Sequence, residues 1–230
     1  MHNSLRLTLF AALLASVVLQ SAETQSVVIP RTSAEPAIDG RIDEGNWKNA
    51  PLPGSFSVAK STEAARKRIE ARLRFDEGHL YAAVFCAEPH PEKIRALSKI
   101  RNENVWQDDC VELWISSTDG AIDYDQFIVN TLGTQEEHRR REGREVEGWK
   151  PKWQVQVSKE AAGWSAEFKI PAADIGLDKL RTGDMLRIKI GREDRADEPA
   201  QMVIWPAGAP YGAAGGSALA YVEQTNVIGT

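Results

Sequence analysis

The chain has 230 residues and a formal net charge of −5, and its acidic and basic residues are mixed along the sequence. This charge pattern excludes nucleic acid as the main partner, because proteins that bind it present a basic patch or stripe. The length is sufficient for one domain with a sizeable hydrophobic core. Seven tryptophans are many for a chain of this size, so the aromatic residues need an explanation.

Residues 1–22 have the features of a signal peptide. Arg6 precedes an apolar run at 7–19, and this run of about 13 residues fits the core of a signal peptide but is short for a membrane span. Small residues follow at 21–22, and no cysteine suited to lipid attachment comes next. We therefore predict a secreted or periplasmic protein without membrane contact after cleavage, with an uncleaved anchor as the alternative. The mature domain covers residues 23–230.

The residues after the signal peptide alternate between apolar and polar with a period of two. In 67–76 the apolar side chains fall on one side and the charged ones on the other, which predicts a strand with one solvent-facing side. Residues 79–86, HLYAAVFC, are apolar on both sides and predict a covered central strand. The short connection at 76–78 suits a hairpin.

Further alternating segments follow at short intervals along the chain. They are VELWIS (111–116), DYDQFIVNT (123–131), WQVQVS (153–158), WSAEFKI (164–170), MLRIKIGR (185–192) and QMVIW (201–205). Helical patterns are limited to about two turns in 91–101 and about one turn in 171–178. Many short strands separated by turns predict an all-β protein, an antiparallel β-sandwich of jelly-roll or immunoglobulin-like type with one or two short helical turns.

Several parts of the sequence are interpreted as exposed loops or turns. The mixed-charge run at 135–147 is expected to be a solvated loop between strands. Residues 205–218 are rich in small residues and glycine, and they predict a loop that carries one aromatic residue, Tyr211. Exposed loop or turn positions are also expected for His79, His90 and His138.

The segment NENVWQDDCVELW (102–114) combines carboxylates with an aromatic residue, as sites of glycoside hydrolases do. Such enzymes need two carboxyl groups about 5–9.5 Å apart. In a strand that starts near Asp108, Glu112 shares its face but lies about 13 Å away at roughly 3.3 Å per residue, and Asp109 lies on the opposite face. We therefore predict a non-catalytic protein, and a second carboxylate from another strand leaves hydrolysis open as an alternative.

A metal site and a disulfide are two further interpretations of this region. Asp76, Asp108 and Asp109 lie at strand ends or entrances, where oxygen ligands can hold calcium. The alternative is that they are solvated turn residues or caps on backbone N–H groups. Cys86 ends one predicted strand and Cys110 begins another, so a disulfide is open if the strands are neighbours. Two buried free thiols are the alternative.

The tryptophans divide into core residues and one candidate ligand platform. Trp106 lies outside the alternating pattern in a polar loop, where an indole ring often serves a ligand. Sugars suit such a ring, because their C–H faces stack on it and their hydroxyls need paired donors and acceptors. Glu112, Gln126 and Asn130 offer such groups from strand faces. Burial in the core or under the N-terminal turn is expected for Trp47, Trp153, Trp164 and Trp205.

A set of sequence stretches covers nearly the whole mature chain in a characteristic order. These are IDGRIDEGNW (38–47), RLRFDEGHLYAAVFCAEP (72–89), VWQDDCVELWI (105–115), YDQFIVNTLG (124–133), GWSAEFKIP (163–171) and the strand that ends in Trp205. In order and spacing they resemble carbohydrate-binding module family 9, within the wider DOMON-like group of sandwiches.

The resemblance implies a β-sandwich that binds sugar chains, often at their ends, in systems that degrade xylan and cellulose. In that family two aromatic rings from loops clamp a sugar. Trp106 matches the first ring, and Tyr211 falls in the loop that carries the second. Glu112 matches a carboxylate that hydrogen-bonds sugar hydroxyls. Asn130 matches a polar residue of the same cleft, and Gln126 lies two positions earlier on that strand face.

The resemblance also implies cofactors and partners. Family members commonly carry structural calcium, and we expect no other cofactor to be required. Ile128 stands where the family has a basic residue of the cleft. The partners that we expect are a poly- or oligosaccharide and a glycoside hydrolase that acts on the same substrate, and we expect the chain to be a monomer.

Electron transfer is the main alternative function for the same fold. Related sandwiches bind haem b through methionine together with lysine or histidine. Met185, Lys189 and Met202 lie in late strands, where they are either iron ligands or ordinary core and surface residues. The leading prediction is a secreted carbohydrate-binding protein.

Overall fold

The structure of the protein is a computed structural model that describes residues 26–42, 45–48, 50, 54–118, 122–212 and 215–223. The predicted signal peptide at 1–22 lies outside these residues. None of the helices in the described part of the chain is long and apolar enough to cross a membrane.

The described residues form short β-strands with little helix. The strands are β1 (Ser26–Pro30), β2 (Ser57–Val58), β3 (Ile69–Phe75), β4 (His79–Ala87), β5 (Cys110–Ser116), β6 (Tyr124–Asn130), β7 (Gln135–Arg141), β8 (Arg144–Glu145), β9 (Gln154–Glu160), β10 (Gly163–Pro171), β11 (Met185–Asp194), β12 (Gln201–Trp205) and β13 (Ala218–Glu223). The helical elements are α1 (Gly45–Lys48) and the 3-10 turns Pro91–Lys93, Val105–Gln107 and Ala172–Ile175.

The strands belong to a nine-stranded and a four-stranded sheet. The larger sheet has the order β1-β13-β11-β5-β6-β7-β8, with β12 paired to β11 and β2 paired to β12. One edge of β11 holds two neighbours in succession, because residues 185–188 pair with β13 and residues 190–194 pair with β12. The smaller sheet has the order β3-β4-β10-β9. Apart from the parallel pair β1–β13, the strand pairs are antiparallel.

The two sheets pack face to face around one hydrophobic core. In β5 the side chains of Val111, Leu113 and Ile115 point into this core, as the alternation predicts. β4 lies between β3 and β10, as predicted for a strand that is apolar on both sides. The predicted antiparallel β-sandwich is therefore confirmed.

The outer face of the smaller sheet is covered by the N-terminal segment. Glu167 of β10 accepts hydrogen bonds from the backbone N–H groups of Asp39 (3.0 Å) and Gly40 (2.8 Å). It also accepts one from Trp47 Nε1 at 2.6 Å, and Trp47 is fully buried as predicted. Gly40 is required at its position, because its φ is +88° and a Cβ would lie 2.6 Å from the carbonyl carbon of Val157.

The helix expected in 91–101 ends after its first turn, Pro91–Lys93. The segment that follows is tied to the entrance of β5 instead. The carboxylate of Asp108 accepts hydrogen bonds from the backbone N–H groups of Leu97 (3.0 Å) and Ser98 (2.9 Å). These N–H groups are thereby withdrawn from the helical hydrogen-bond pattern, which explains the shorter helix.

The mixed-charge run at 135–147 contains two paired strands, so its interpretation as a solvated loop is wrong. β7 pairs with β6, and β8 folds back on β7. Part of its charge is paired within the sheet, since Arg139 and Arg141 bind the buried carboxylate of Asp125 at 2.7 and 2.9 Å. Charge density along the sequence did not show that these side chains have partners on the neighbouring strand.

Cys86 and Cys110 are free and buried, so the disulfide alternative is wrong. The two thiols occupy different sides of β5. Cys86 belongs to the core between the sheets, whereas Cys110 packs with Val105 and Ile128 on the opposite face of the larger sheet. Burial raises the pKa of Cys86 to about 12 and raises that of Cys110 well above its usual value, so both thiols stay protonated.

Candidate functional site

A cavity of about 420 Å³ lies on the face of the larger sheet that is turned away from the core. Its lining comes from β5, β6, β7, β11 and β12, from the residues after β2, from the turn Val105–Gln107 and from the loop after β12. The volume lies in the range of pockets that bind small molecules, about 300–1,000 Å³. The predicted contact residues that line it together are Trp106, Glu112, Gln126 and Tyr211.

Trp106 is presented to the cavity by a short turn that is fixed on both sides. The preceding residue, Val105, is fully buried, whereas Trp106 is 44% exposed. Asn104 starts the turn in the left-handed region with a φ of 57°, and Asp108 closes it by donating its N–H to the carbonyl of Val105 at 3.1 Å. The indole is therefore the exposed member of a turn that is otherwise anchored.

Glu112 lies at the floor of the cavity and is 2% exposed. Its Oε2 accepts a hydrogen bond from Gln126 Nε2 at 2.6 Å, and its Oε1 accepts one from the Tyr211 hydroxyl at 3.2 Å. Burial and the nearby charge of Glu193 raise the pKa of Glu112 to about 8, although the two hydrogen bonds act in the opposite direction. Glu112 is therefore a largely protonated carboxyl group at neutral pH.

Tyr211 packs edge-on against Trp114, with ring centroids 5.2 Å apart and an interplanar angle of 85°. Gly191 of β11 makes room for this pair, because a Cβ there would lie 2.7 Å from Tyr211 Cε2 and 2.9 Å from Trp114 Cζ3. Lys189 Nζ lies 4.6 Å from the Trp114 ring centroid and donates a hydrogen bond to the carbonyl of Pro210 at 3.0 Å. These contacts hold the loop that carries Tyr211 against the sheet.

Asn130, the fifth predicted contact, is not among the lining residues of this cavity in the described part of the chain. It is fully buried. Its amide nitrogen donates to the carbonyl of Ser98 (2.8 Å) and to the carboxylate of Asp108 (2.9 Å). Its amide oxygen accepts from the N–H groups of Leu132 and Thr134, both at 3.0 Å. Asn130 thus fastens the loops beside the cavity.

The structure does not bring the three candidate metal ligands together. Asp76 belongs to the hairpin between β3 and β4, where it accepts hydrogen bonds from two backbone N–H groups and the Tyr81 hydroxyl. Asp108 accepts bonds from the 97–98 backbone and Asn130, as described above. Both carboxylates therefore stabilise turns and loops by binding backbone N–H groups, which is the alternative to metal binding given above.

Asp109 belongs to a different buried group, in which its carboxylate oxygen lies within 4.8 Å of those of Glu88 and Asp194. This acidic group already has a cation from the chain. Lys67 Nζ binds Glu88 at 2.6 Å and Asp194 at 2.9 Å, and Arg192 binds Glu88 at 3.2 Å. Lys67 and Arg192 therefore already neutralise part of this acidic group, and structural calcium stays a prediction.

Sequence reasoning missed several residues of the cavity, of which His138 is the most informative. It lies on β7 opposite Gln126 of β6 and is not in an exposed loop, so that expectation is wrong. Its Nε2 lies 2.8 Å from Glu136 Oε1, and its Nδ1 lies 3.2 Å from Glu145 Oε1. The hydrogen bond with Glu136 raises the pKa of His138 against the effect of burial. The available signal was the period-two spacing of residues within 135–141, which is typical of a strand.

The sequence analysis also did not predict the residues at the rim of the cavity or those contributed by β11 and β12. Lys60 and Arg140 line the cavity and are exposed, and Met202 adds an exposed apolar surface. Glu193 of β11 brings a second buried carboxylate, which binds Arg195 at 3.0 Å. Burial raises the pKa of Glu193 to about 7. No single strand pattern shows these residues, because they come together through strand pairing.

Comparison with known proteins finds similar folds among solved structures. No family model matches the chain, and no curated protein sequence matches it. A carbohydrate-binding module of family 9 from Caldicellulosiruptor kristjanssonii, in complex with glucose, matches at 13% identity with a TM-score of 0.64, covering 88% of this chain and 97% of that one. A module of this family from that organism in complex with cellotriose matches at 14% identity with a TM-score of 0.63, covering 89% of this chain and 97% of that one.

A third solved structure is a protein of Bacteroides uniformis ATCC 8492 that is provisionally assigned as carbohydrate-binding. It matches at 14% identity with a TM-score of 0.69, covering 87% of this chain and 100% of that one. At these identities the likeness shows that the chain has the fold of these proteins. The resemblance to family 9 seen in the sequence is therefore confirmed at the level of the fold.

Proposed function

We propose that the protein is an exported, non-catalytic carbohydrate-binding protein whose ligand is an oligosaccharide or a plant-type polysaccharide of the cellulose or xylan kind. The observation that carries the proposal is Trp106, whose side chain is 44% exposed in a cavity that also contains Glu112 and Gln126. A large aromatic ring that stays exposed beside buried polar groups is typical of a ligand site.

The chemistry of the cavity suits a sugar ring. The C–H face of the sugar stacks on the indole of Trp106, and its hydroxyls find donors and acceptors on Gln126 and Glu112. Because Glu112 is largely protonated at neutral pH, it can donate as well as accept a hydrogen bond. Ile128 and Met202 add apolar surface around the ring.

Other observations support the choice of ligand, location and partner. Two solved structures of the same fold are complexes with glucose and with cellotriose, so glucans are the first sugars to test. The signal peptide predicted at 1–22 supports export. A glycoside hydrolase acting on the same polysaccharide is the partner that we propose. Binding of this kind uses side chains alone and requires no cofactor.

Isothermal titration calorimetry with cello- and xylo-oligosaccharides tests the proposal, together with pull-down on insoluble cellulose and xylan. We expect saturable binding by the wild-type protein and a loss of at least about tenfold in affinity in Trp106→Ala, as for an aromatic residue at the centre of a binding site. Absence of binding to every sugar, or unchanged binding in Trp106→Ala, would overturn the proposal.

Hydrolysis is the second candidate, because the structure brings Glu193 of β11 into the same cavity as Glu112 of β5. Retaining and inverting enzymes pair a protonated carboxyl group with an ionised one. Burial raises the pKa of both groups in this cavity, to about 8 for Glu112 and about 7 for Glu193. A reducing-sugar assay on the same substrates distinguishes the two functions.

Haem binding by Met185, Lys189 and Met202 finds no support in the contacts of these residues. Lys189 donates to the carbonyl of Pro210 and lies over Trp114, and both methionine side chains are exposed. A visible-light spectrum of the purified protein tests this alternative, which predicts a Soret band.

A further inference from the structure

Tyr211 and Trp106 of the cavity are linked to buried carboxyl groups on different strands, Tyr211 directly and Trp106 through the backbone of its turn. Tyr211 is tied to Glu112 through its hydroxyl. For Trp106 the link runs through the backbone N–H group of the preceding residue, Val105. Glu136 of β7 is 3% exposed and accepts a hydrogen bond from Val105 N at 2.5 Å on Oε2. Its other oxygen, Oε1, faces His138.

We propose that Glu136 is the positioning residue of the Trp106 platform, and that its pairing with His138 makes the position of this ring dependent on pH. This inference rests on the proposed function for its consequence, which is pH-dependent sugar affinity. Its structural part concerns the turn Val105–Gln107 alone and can be tested without a sugar.

The turn needs an outside acceptor at its first residue. The first N–H groups of a helical turn have no partner within it, and Val105 is fully buried, so water does not replace the carboxylate. Ser98 Oγ and Gln107 N donate to the carbonyl of Asn104, whereas Glu136 is the acceptor for the first N–H group of the turn, that of Val105. A shift of Glu136 therefore moves the backbone to which Trp106 is attached.

The charge of His138 controls Glu136 because its ring nitrogens face two carboxylates, those of Glu136 and Glu145. Two acceptors favour the doubly protonated imidazolium, which matches the raised pKa of His138. The other charged groups near it are Arg140, two residues along β7 and paired with Glu145 at 3.5 Å, and Glu112, which lies behind Gln126 on the next strand but one. Loss of the imidazolium proton at higher pH weakens the hold on Glu136.

The test uses the indole N–H signals in two-dimensional ¹⁵N–¹H spectra, with the Trp106 signal identified by Trp106→Phe. In the sugar-free wild type we expect this signal to shift with a midpoint above 6.5, the ordinary pKa of histidine. In His138→Gln the shift with pH should vanish and the signal should stay near its high-pH position, because glutamine carries no positive charge. Glu112→Gln and Glu193→Gln are the controls, because each removes one of the two cavity carboxyl groups with a raised pKa, and both should leave the shift in place.

Two substitutions of Glu136 separate positioning from general stability. Glu136→Gln keeps an acceptor for Val105 N, so we expect a Trp106 signal near that of the wild type but without the pH-dependent shift. Glu136→Ala removes the acceptor, so the signal should move or broaden and the affinity for cellotriose should fall at least tenfold. The signals of Trp47 and Trp164 report whether the fold is intact. If Glu136→Ala does not fold, the spectra of Glu136→Gln and His138→Gln test the role of Glu136.

A Trp106 signal that titrates equally in His138→Gln, or that is displaced as far in Glu136→Gln as in Glu136→Ala, would overturn the inference. Failure of the wild type to bind any sugar would overturn the proposed function instead, and the sugar-free spectra would still decide the role of Glu136. With both parts correct, the affinity for cellotriose falls as the pH rises through the titration of His138, and this fall is absent in His138→Gln.

Discussion

Glu112 and Glu167 are both buried glutamates in the middle of a strand beside aromatic residues, but the two sheet faces use them differently. Glu167 binds two backbone N–H groups and the indole of Trp47, and the N-terminal segment covers it. Glu112 binds side chains, those of Gln126, Tyr211 and Cys110, and it borders an open cavity.

The nature of the hydrogen-bond partners therefore separates a structural carboxylate from a candidate functional one. Backbone donors are fixed by the fold, so Glu167 has no freedom to exchange its partners. Side-chain donors can turn towards a ligand hydroxyl, so Glu112 can exchange its partners for a sugar. Trp47, fully buried, and Trp106, 44% exposed, show the same contrast.

The largest expected effect is on the outer face of the smaller sheet. Glu167→Ala leaves Asp39 N, Gly40 N and Trp47 Nε1 without their acceptor, so we expect the free energy of unfolding to fall by at least about 3 kcal/mol. Urea unfolding followed by circular dichroism measures this change. Glu112→Gln is the control and should lower the free energy of unfolding much less. An equal loss in both variants would contradict the distinction between a structural Glu167 and a functional Glu112.

The two tryptophans should respond in opposite ways to replacement by alanine. Trp47→Ala removes a fully buried ring and should destabilise the protein by about 3–5 kcal/mol. Trp106→Ala should leave the melting temperature nearly unchanged and weaken sugar binding instead. Thermal unfolding and calorimetry of both variants check this pair, and a large loss of stability in Trp106→Ala would assign that ring to packing.

A smaller effect is expected at Gly191, which makes room for the second ring of the cavity. In Gly191→Ala the new Cβ would lie 2.7 Å from Tyr211, so the ring must move, and we expect a loss of about 1–3 kcal/mol in stability together with weaker sugar binding. Gly212→Ala is not a neutral control, because its φ is +70°. Gly45→Ala is suitable, since nothing lies within 4 Å of a Cβ there.

The last expected effect is the pH dependence of stability that Glu112 contributes. Its pKa is raised from the ordinary 4.5 to about 8, so between these values the folded protein holds a proton that the unfolded chain has lost. The free energy of unfolding therefore falls as the pH rises through this window. Urea unfolding at pH 5 and pH 8 should show a smaller fall in Glu112→Gln than in the wild type, and equal falls would contradict this role.

The sequence predicted the fold and the faces of individual strands, because period-two alternation follows directly from backbone geometry. Val111, Leu113 and Ile115 point into the core and Glu112 points away from it, as predicted. Alternation also placed Asn130 on the face of Gln126, and that much is correct. Its amide is nevertheless buried under the 97–98 loop, and a single strand pattern carries no information about which loop covers its end.

The pairing of strands decided the part of the site that the sequence did not predict. His138 and Glu136 lie in a run whose charge density was typical of a loop. Their partners, Val105 and Glu145, lie on a distant turn and on β8, so they are known only from the folded chain. Glu193 reaches the cavity because β11 pairs with β5. Strand pairing also decides between the two interpretations of the cysteines, because β4 and β5 belong to different sheets and the thiols are free and buried.

The most direct test of the account is a two-dimensional ¹⁵N–¹H NMR titration of the wild-type protein with cellotriose and with a xylo-oligosaccharide. The account predicts that the signals of Trp106, Gln126 and Gly212 shift on addition of one of these sugars, because these residues line the cavity. Those of Gly40 and Trp47, on the outer face of the smaller sheet, should stay unchanged. No shifts at millimolar sugar, or shifts centred on that outer face, would contradict it.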